Sequence, residues 1–164
     1  MMVPAGVTIR STVADDAEAL ARLQVDVWED AYADLMPATV FDERRATIAE
    51  RIDRWRRILD EAQTRTTVAE FSAGLIGFAS VGPPRADDVN VDEELWALYV
   101  QASWWGKRLG HALLMAALAE RPAYLWVLRG NDRAIAFYRK HGFAGDGVTR
   151  TDDYGTELRM VRHS

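Results

Sequence analysis

Residues 94–128 constrain the fold of this 164-residue chain more than any other segment. An apolar run over 94–101 leads through a turn with two glycines into an apolar helix over 106–120, and a second apolar run follows at 123–128. A strand, a helix and a strand in this order form a right-handed crossover, which makes the two strands parallel. The segment therefore predicts a β-α-β unit.

Further strand and helix patterns surround this unit. The alternating segment 7–13 predicts a strand, and apolar residues at helical spacing predict two helices, one after residue 16 and one over 39–61. The remaining predicted elements are a hairpin of strands at 66–71 and 75–81, a helix at 131–141, and strands from 143 and over 156–161. Together they predict a mixed sheet with helices on its faces, in a single domain over 1–164.

Composition disfavours several functions. The net charge of −5 argues against a broad nucleic-acid-binding surface, and the basic run 51–57 is typical of a solvated helix face. The chain has no cysteine, which excludes disulfides and thiolate chemistry, and we predict no metal site. No apolar run approaches the ~18 residues of a membrane span, and the first residues lack a signal-peptide pattern. We therefore expect a cytoplasmic protein without membrane contacts.

The turn at 105–111 predicts a phosphate site. Unpaired N–H groups and the positive end of the dipole lie at the beginning of a helix, and glycine lets a phosphate approach the backbone. Lys107 and Arg108 add positive charge. Glycines at such a turn are also common as turn residues alone, so this segment leaves both interpretations open.

A second segment helps to decide between a phosphate site and simple turn residues at 105–111. It is residues 131–143, Asn-Asp-Arg-Ala-Ile-Ala-Phe-Tyr-Arg-Lys-His-Gly-Phe. Its periodicity is that of an amphipathic helix, which could simply face the core. However, the segment is similar to the Asn-x-x-Ala-x-x-Phe-Tyr-x-x-x-Gly-Phe helix of the GCN5-related N-acetyltransferase (GNAT) superfamily. Residues 98–111 in turn resemble the acetyl-CoA motif of that superfamily, in which a strand ending in Tyr-Val leads through a turn to [Arg/Gln]-x-x-Gly-x-[Gly/Ala].

The resemblance implies a fold and a function. The fold would be α/β (α+β), a GNAT-like mixed and mostly antiparallel central sheet with a splayed parallel strand pair and helices on both faces. The function would be transfer of an acetyl group from acetyl-CoA to an amine by direct attack in a ternary complex. The residues implied to bind the cofactor are Leu98, Tyr99, Val100, Trp105, Gly106, Lys107, Arg108, Leu109, Gly110, His111, Asn131, Ala134, Phe137 and Tyr138.

The first motif departs from the family at two positions. Trp105 stands at the Arg/Gln position and Arg108 at the central glycine. We expect Arg108 to fit if the backbone there is right-handed helical, because no positive φ is then required. Lys107 and Arg108 are the candidates to replace the missing charge.

The resemblance also assigns two catalytic candidates. Tyr138 matches the tyrosine that faces the sulfur and would act as a general acid, with a structural hydroxyl as the alternative. Glu94 would take the amine proton, with an exposed strand-end carboxylate as the alternative. His111, inside the phosphate turn, and His141, at a helix end, are poorer candidates for a base.

The acceptor would lie across the splayed strands from the cofactor. Trp28, Tyr32 and Trp96 are the candidate substrate-binding residues, and an aromatic lining suits an apolar amine or a cation held over a ring. Tyr154 is also available, whereas Trp55 is assigned to the core. Asp30 or Asp34 could pair with an ammonium group or remain solvated.

The sequence is compatible with two functions. The leading prediction is an N-acetyltransferase acting on a small-molecule or peptide amine, and the alternative is a catalytically silent acyl-CoA-binding sensor. Tyr138 favours the enzyme, because a module that only binds has no chemical need for that hydroxyl. Dimers are common among similar proteins, so a homodimer is one of the assemblies left open.

Overall fold

A computed structural model describes residues 3–163, so the outermost residues of the predicted domain, Met1, Met2 and Ser164, lie outside the described part. The helices are α1 (Ala17–Tyr32), α2 (Ala38–Ala46), α3 (Ile48–Asp60), α4 (Leu109–Leu118) and α5 (Asp132–Lys140). The strands are β1 (Val7–Ser11), β2 (Arg65–Phe71), β3 (Gly74–Gly82), β4 (Glu94–Val100), β5 (Ala123–Leu128), β6 (Ala144–Asp152) and β7 (Gly155–Arg162).

The described strands form one mixed sheet in the order β1-β2-β3-β4-β5-β7-β6. β4 and β5 run parallel, as the crossover rule predicts, and every other neighbouring pair is antiparallel. Along β4 and β5 the described residues contain a single aligned pair, Glu94 with Tyr124. The two strands therefore diverge beyond Glu94, and the predicted splayed pair is confirmed.

Helices cover both faces of the sheet, because alternate strand residues point to opposite sides. On one face α4 and α5 pack against inward-facing residues such as Ala79 and Leu125. On the other face α1 and α3 pack against Val68 and Phe78. The predicted fold class is therefore confirmed, and the opening between β4 and β5 lies between the two helical layers.

The predicted helix over 39–61 is wrong in one respect, because it is two helices. Thr47 separates α2 from α3 with φ −102° and ψ 25°. Its hydroxyl donates to the carbonyl of Glu43 at 3.0 Å. A threonine that bonds back one turn competes with the helical ladder and bends it, which a count of apolar spacing does not detect.

The predicted beginning of the fourth helix is also wrong. α4 begins at Leu109 rather than at residue 106, since Gly106 (φ 76°) and Arg108 (φ 66°) have left-handed backbone conformations. The expectation of a right-handed Arg108 is therefore contradicted. A left-handed residue costs about 1–2 kcal/mol when it carries a Cβ, so this loop holds Arg108 under strain.

Candidate active site

The divergence of β4 and β5 opens a pocket at the middle of the sheet. A bulge in β4 at Trp96, between the aligned residues Leu95 and Ala97, accompanies the separation. The cavity measures about 100 Å³. Its walls are formed by residues 95–100 of β4, residues 125–127 of β5 and the side of α5 that carries Asn131, Ala134, Phe137 and Tyr138.

Tyr138 is a buried residue that lines this central pocket. Its ring packs on Phe143 with centroids 5.8 Å apart, and its hydroxyl makes no hydrogen bond with any residue between 3 and 163. Burial raises the pKa of Tyr138 well above its ordinary value, while the charge of Arg133 opposes that shift. The phenol is therefore protonated at neutral pH, as a hydrogen-bond donor toward a ligand must be.

A larger and basic cavity adjoins the central pocket. It measures about 640 Å³, and Val100, Gly110, Arg133 and Phe137 line both spaces. The basic side chains around it are Arg108, His111, Arg133, Lys140 and His141, and no carboxylate occurs among its described lining residues. The beginning of α4 also faces it, where the first helical hydrogen bond runs from Ala112 N–H to the carbonyl of Arg108. The N–H groups of Leu109, Gly110 and His111 precede that bond, have no backbone partner among residues 3–163 and are available to an anion.

Trp105 bridges the edge of this basic cavity. Its indole N–H donates to the carbonyl of Val100 at 2.9 Å, and the guanidinium of Arg133 lies 3.6 Å from its ring centroid. Arg133, which is not among the residues predicted from sequence, lines both spaces and brings positive charge to the place where Trp105 stands at a position that is polar in the family. The signal was present, because Arg133 and Phe137 are one helical turn apart.

His111 and His141 form a hydrogen-bonded pair in the basic cavity. His111 Nδ1 lies 2.7 Å from His141 Nε2, and His141 Nδ1 donates to the carbonyl of Phe137 at 2.8 Å. When both rings are neutral, His141 Nε2 must therefore accept from His111. Burial, followed by the charge of His141, lowers the pKa of His111. The neutral form of His111 is therefore favoured in the empty cavity, and an anion bound beside the pair would oppose that shift.

Glu94 is 1 % exposed, so the alternative of an exposed strand-end carboxylate is wrong. Its Oε1 accepts from Tyr124 Oη at 2.5 Å and from the backbone N–H of Arg85 at 3.0 Å. Its Oε2 accepts from Arg85 Nη2 at 2.6 Å. Arg85 and Tyr124 are long-range partners in a loop and a neighbouring strand, so the local sequence carried no signal for them.

A third cavity, which we call the aromatic cavity, lies on the other side of the central pocket, under α1. It measures about 280 Å³. The three predicted substrate-binding residues, Trp28, Tyr32 and Trp96, all line it, as does Tyr154. Tyr32 Oη and Tyr99 Oη are 2.8 Å apart at the boundary with the central pocket. Trp55, as predicted, belongs to the core.

Asp30 and Asp34 have different environments in the described structure. Asp30 accepts a hydrogen bond from the backbone N–H of Ala102 at 2.9 Å, so its carboxylate holds the loop after β4 against α1. Asp34 is exposed beyond the end of α1. Neither side chain lines the third cavity.

Arginines already stack on the tryptophans of this third cavity. Arg44 lies 3.6 Å from the Trp28 ring centroid, and Arg85 lies 4.7 Å from that of Trp96. Arg150 lies 4.3 Å from the centroid of Trp126. The sequence predicted that an aromatic face could hold a substrate cation. In the structure, each of these three tryptophan rings already has an arginine stacked on it.

Comparison with known proteins agrees with this geometry. A family model described as an acetyltransferase (GNAT) domain matches residues 62–144, just over half of the chain. An uncharacterized N-acetyltransferase of Bacillus subtilis, YuaI, is 29 % identical over 143 residues, covering 82 % of this chain and 79 % of that protein.

Two solved structures share the fold. PaiA N-acetyltransferase of Thermoplasma acidophilum, solved in complex with coenzyme A, superposes with a TM-score of 0.73 at 22 % identity, covering 96 % of this chain and 99 % of that one. A GCN5-related N-acetyltransferase of Rhodopseudomonas palustris superposes with a TM-score of 0.71 at 20 % identity, covering 100 % and 99 %.

The chain therefore belongs to the GNAT acetyltransferase family. It is an acyltransferase whose co-substrate is acetyl-CoA. The expected fold, enzyme class and co-substrate are thus confirmed, and family membership does not favour the silent sensor.

The described residues 3–163 also bear on membranes and metals. None of their helices combines the length and the apolar character needed to cross a membrane. They contain no cluster of three or more histidine, cysteine, aspartate or glutamate side chains arranged to hold a metal ion.

Proposed function

We propose that this protein transfers an acetyl group from acetyl-CoA to an amine of a small molecule or a peptide, by direct attack of the amine in a ternary complex. One observation carries the proposal. The basic cavity, the central pocket and the aromatic cavity follow one another through the opening between β4 and β5, and neighbouring spaces share lining residues. Such a passage lets two ligands enter from opposite sides and meet at its middle.

The basic cavity fits the cofactor. Coenzyme A carries phosphate groups, and this cavity supplies Arg108, Arg133 and Lys140 together with the free N–H groups at the beginning of α4. Leu98, Tyr99 and Val100 on β4, with Asn131, Ala134 and Phe137 on α5, line the narrower pocket that suits the cofactor arm. When bound, acetyl-CoA supplies a thioester whose carbonyl carbon accepts the amine.

Tyr138 is the proposed general acid. Its hydroxyl is protonated, buried and without a partner among residues 3–163, so it can donate a hydrogen bond to the departing sulfur. A phenol has an ordinary pKa of ~10 and a thiol of ~8.5, so complete proton transfer is uphill. A strong hydrogen bond to the developing thiolate is sufficient to lower the barrier.

Glu94 is the proposed acceptor of the amine proton. Its carboxylate borders the aromatic cavity, and Oε2 accepts one hydrogen bond whereas Oε1 accepts three. Oε2 therefore keeps a lone pair for a proton, taken directly or through water. Arg85 is itself about half exposed, so its guanidinium has room to move aside when the amine arrives.

Two measurements test the proposal. Acetyl-CoA should raise the melting temperature, because a ligand at about 100 times its Kd stabilises the folded state by about 2.7 kcal/mol. Release of free CoA is then followed with a panel of primary amines and short peptides. Absence of a thermal shift at millimolar acetyl-CoA would contradict cofactor binding, and a shift without CoA release from any amine would contradict transfer.

A further inference from the structure

Arg44 on α2 is a buried cation without a counter-charge. The residue is 6 % exposed, and its Nε is buried without a hydrogen-bond partner. Among residues 3–163 no carboxylate lies within ion-pair distance of its guanidinium, although nine other arginines form such pairs. Burial, followed by the charge of Arg51, lowers the pKa of Arg44 to about 10.

The surroundings of Arg44 belong to the aromatic cavity. Its guanidinium stacks on Trp28, and its charge also acts on the hydroxyls of Tyr32, Tyr99 and Tyr154. All four of these aromatic residues line that cavity. Arg44 therefore lies directly behind the wall of the acceptor side rather than in a remote part of the core.

A second orphan donor borders the same space. The indole N–H of Trp96, on the β4 bulge, is buried without a partner, and Trp96 lines both the aromatic cavity and the central pocket. Buried donors are normally satisfied, since each unpaired one costs free energy. Two donors around one cavity are therefore unpaired. A ligand that brings hydrogen-bond acceptors can satisfy them.

The other charges of this cavity are already neutralised or occupied. Arg85 pairs with Glu94 at 2.6 Å, Arg150 pairs with Glu157 at 2.8 Å, and Asp152 accepts the backbone N–H of Tyr154 at 2.8 Å. Arg44, behind this wall, by contrast has no anionic partner among residues 3–163. Because a buried unpaired charge is strongly unfavourable, a chain that keeps one gains when a ligand brings the opposite charge.

We propose that the acceptor amine of this enzyme also carries a carboxylate, and that Arg44 binds that carboxylate. The acceptor class is therefore amino acids or amino-acid-like compounds rather than polyamines or simple alkylamines. This inference rests on the proposed function, because it names the substrate of the same transfer. A guanidinium has paired N–H groups that match one carboxylate, which suits recognition of that group over a neutral amide.

The experiment compares amines that carry that carboxylate with amines in which it is a neutral amide. Phenylalanine and β-alanine are each paired with their carboxamides, and CoA release gives kcat/KM for each compound. The free acids should be preferred by about 10- to 100-fold, the range of a charge-assisted hydrogen bond. Arg44→Met should abolish the preference through KM, and Arg44→Lys should retain part of it. Arg57→Met removes an exposed arginine of α3 and should leave the preference intact.

A stability measurement separates binding from a structural role. If Arg44 is kept for a ligand, Arg44→Met removes an unpaired buried charge and should not lower the denaturation midpoint. A clear loss of stability in Arg44→Met, equal use of acids and amides by the unaltered protein, or a preference that survives Arg44→Met would each overturn the inference. If no amine releases CoA, the proposed function itself fails, whatever the role of Arg44.

Discussion

Arg108 combines an unfavourable backbone conformation with a side-chain charge that suits an anion site. Its backbone is left-handed at φ 66°, where glycine is favoured, while its side chain adds a positive charge to the basic cavity. We expect Arg108→Gly to raise the free energy of unfolding by about 1 kcal/mol, because the strain is relieved. The same change should weaken binding of CoA, since a cation is lost.

Denaturant unfolding checks the stability change, and calorimetry checks the binding change. Lys107→Gly is the matched control, because Lys107 does not have a positive φ. This substitution only increases the conformational entropy of the unfolded chain and relieves no strain in the folded one. If both glycine variants change the stability alike, strain at Arg108 is not the cause.

Tyr138→Phe isolates one hydroxyl, because the ring and its packing on Phe143 are kept. We expect turnover to fall by about 10- to 100-fold, at or below the low end of general acid catalysis, since a hydrogen bond rather than a full proton transfer is lost. The affinity for acetyl-CoA should change little. Steady-state kinetics and calorimetry measure the two quantities, and an unaltered kcat would contradict the role of Tyr138 as an acid.

At the scale of secondary-structure elements, the His111–His141 pair joins α4 to α5 across the basic cavity. The pKa of His111 is lowered in the folded protein, so the unfolded chain binds more protons as the pH falls below ~6.5. The contribution of neutral His111 to the free energy of unfolding is therefore complete above that pH. It is lost as the pH falls toward the lowered pKa of His111 in the folded protein. A bound phosphate acts in the opposite direction, because it favours the protonated pair.

We therefore expect the affinity for CoA to increase as the pH falls toward and below ~6.5, because the bound phosphate favours protonation of a pair that is mostly neutral without it. The other basic side chains of the cavity are Arg108, Arg133 and Lys140. Calorimetry across that pH range measures the effect in the unaltered protein and in His111→Gln. An equal pH dependence in the two proteins would show that the imidazole pair is not responsible.

At the scale of the whole molecule, one sheet connects every strand from β1 to β7, and helices from both halves of the chain cover it. We propose that residues 1–164 form a single domain, which predicts one cooperative unfolding transition. Far-ultraviolet circular dichroism and tryptophan fluorescence should give the same midpoint, both with and without acetyl-CoA. Separate midpoints for the two probes would contradict a single folding unit.

Local patterns in the sequence determined much of this protein. Apolar periodicity and glycine positions predicted the strand–helix–strand unit, and its parallel pair followed from the handedness of crossovers. The motif around Asn131 and Tyr138 predicted a helix that lines the central pocket. These features are local because a turn, a cap or an amphipathic face depends on residues a few positions apart.

Only the tertiary structure decided which distant side chains meet. Glu94 is buried because Arg85 and Tyr124 reach it from a loop and a neighbouring strand. Arg133 supplies charge beside Trp105, and Arg44 lies unpaired behind Trp28. Burial and ion pairing depend on all elements packed around a group, and a chain read residue by residue does not specify those neighbours. For the same reason the strain at Arg108 became visible only when the path of the loop was known.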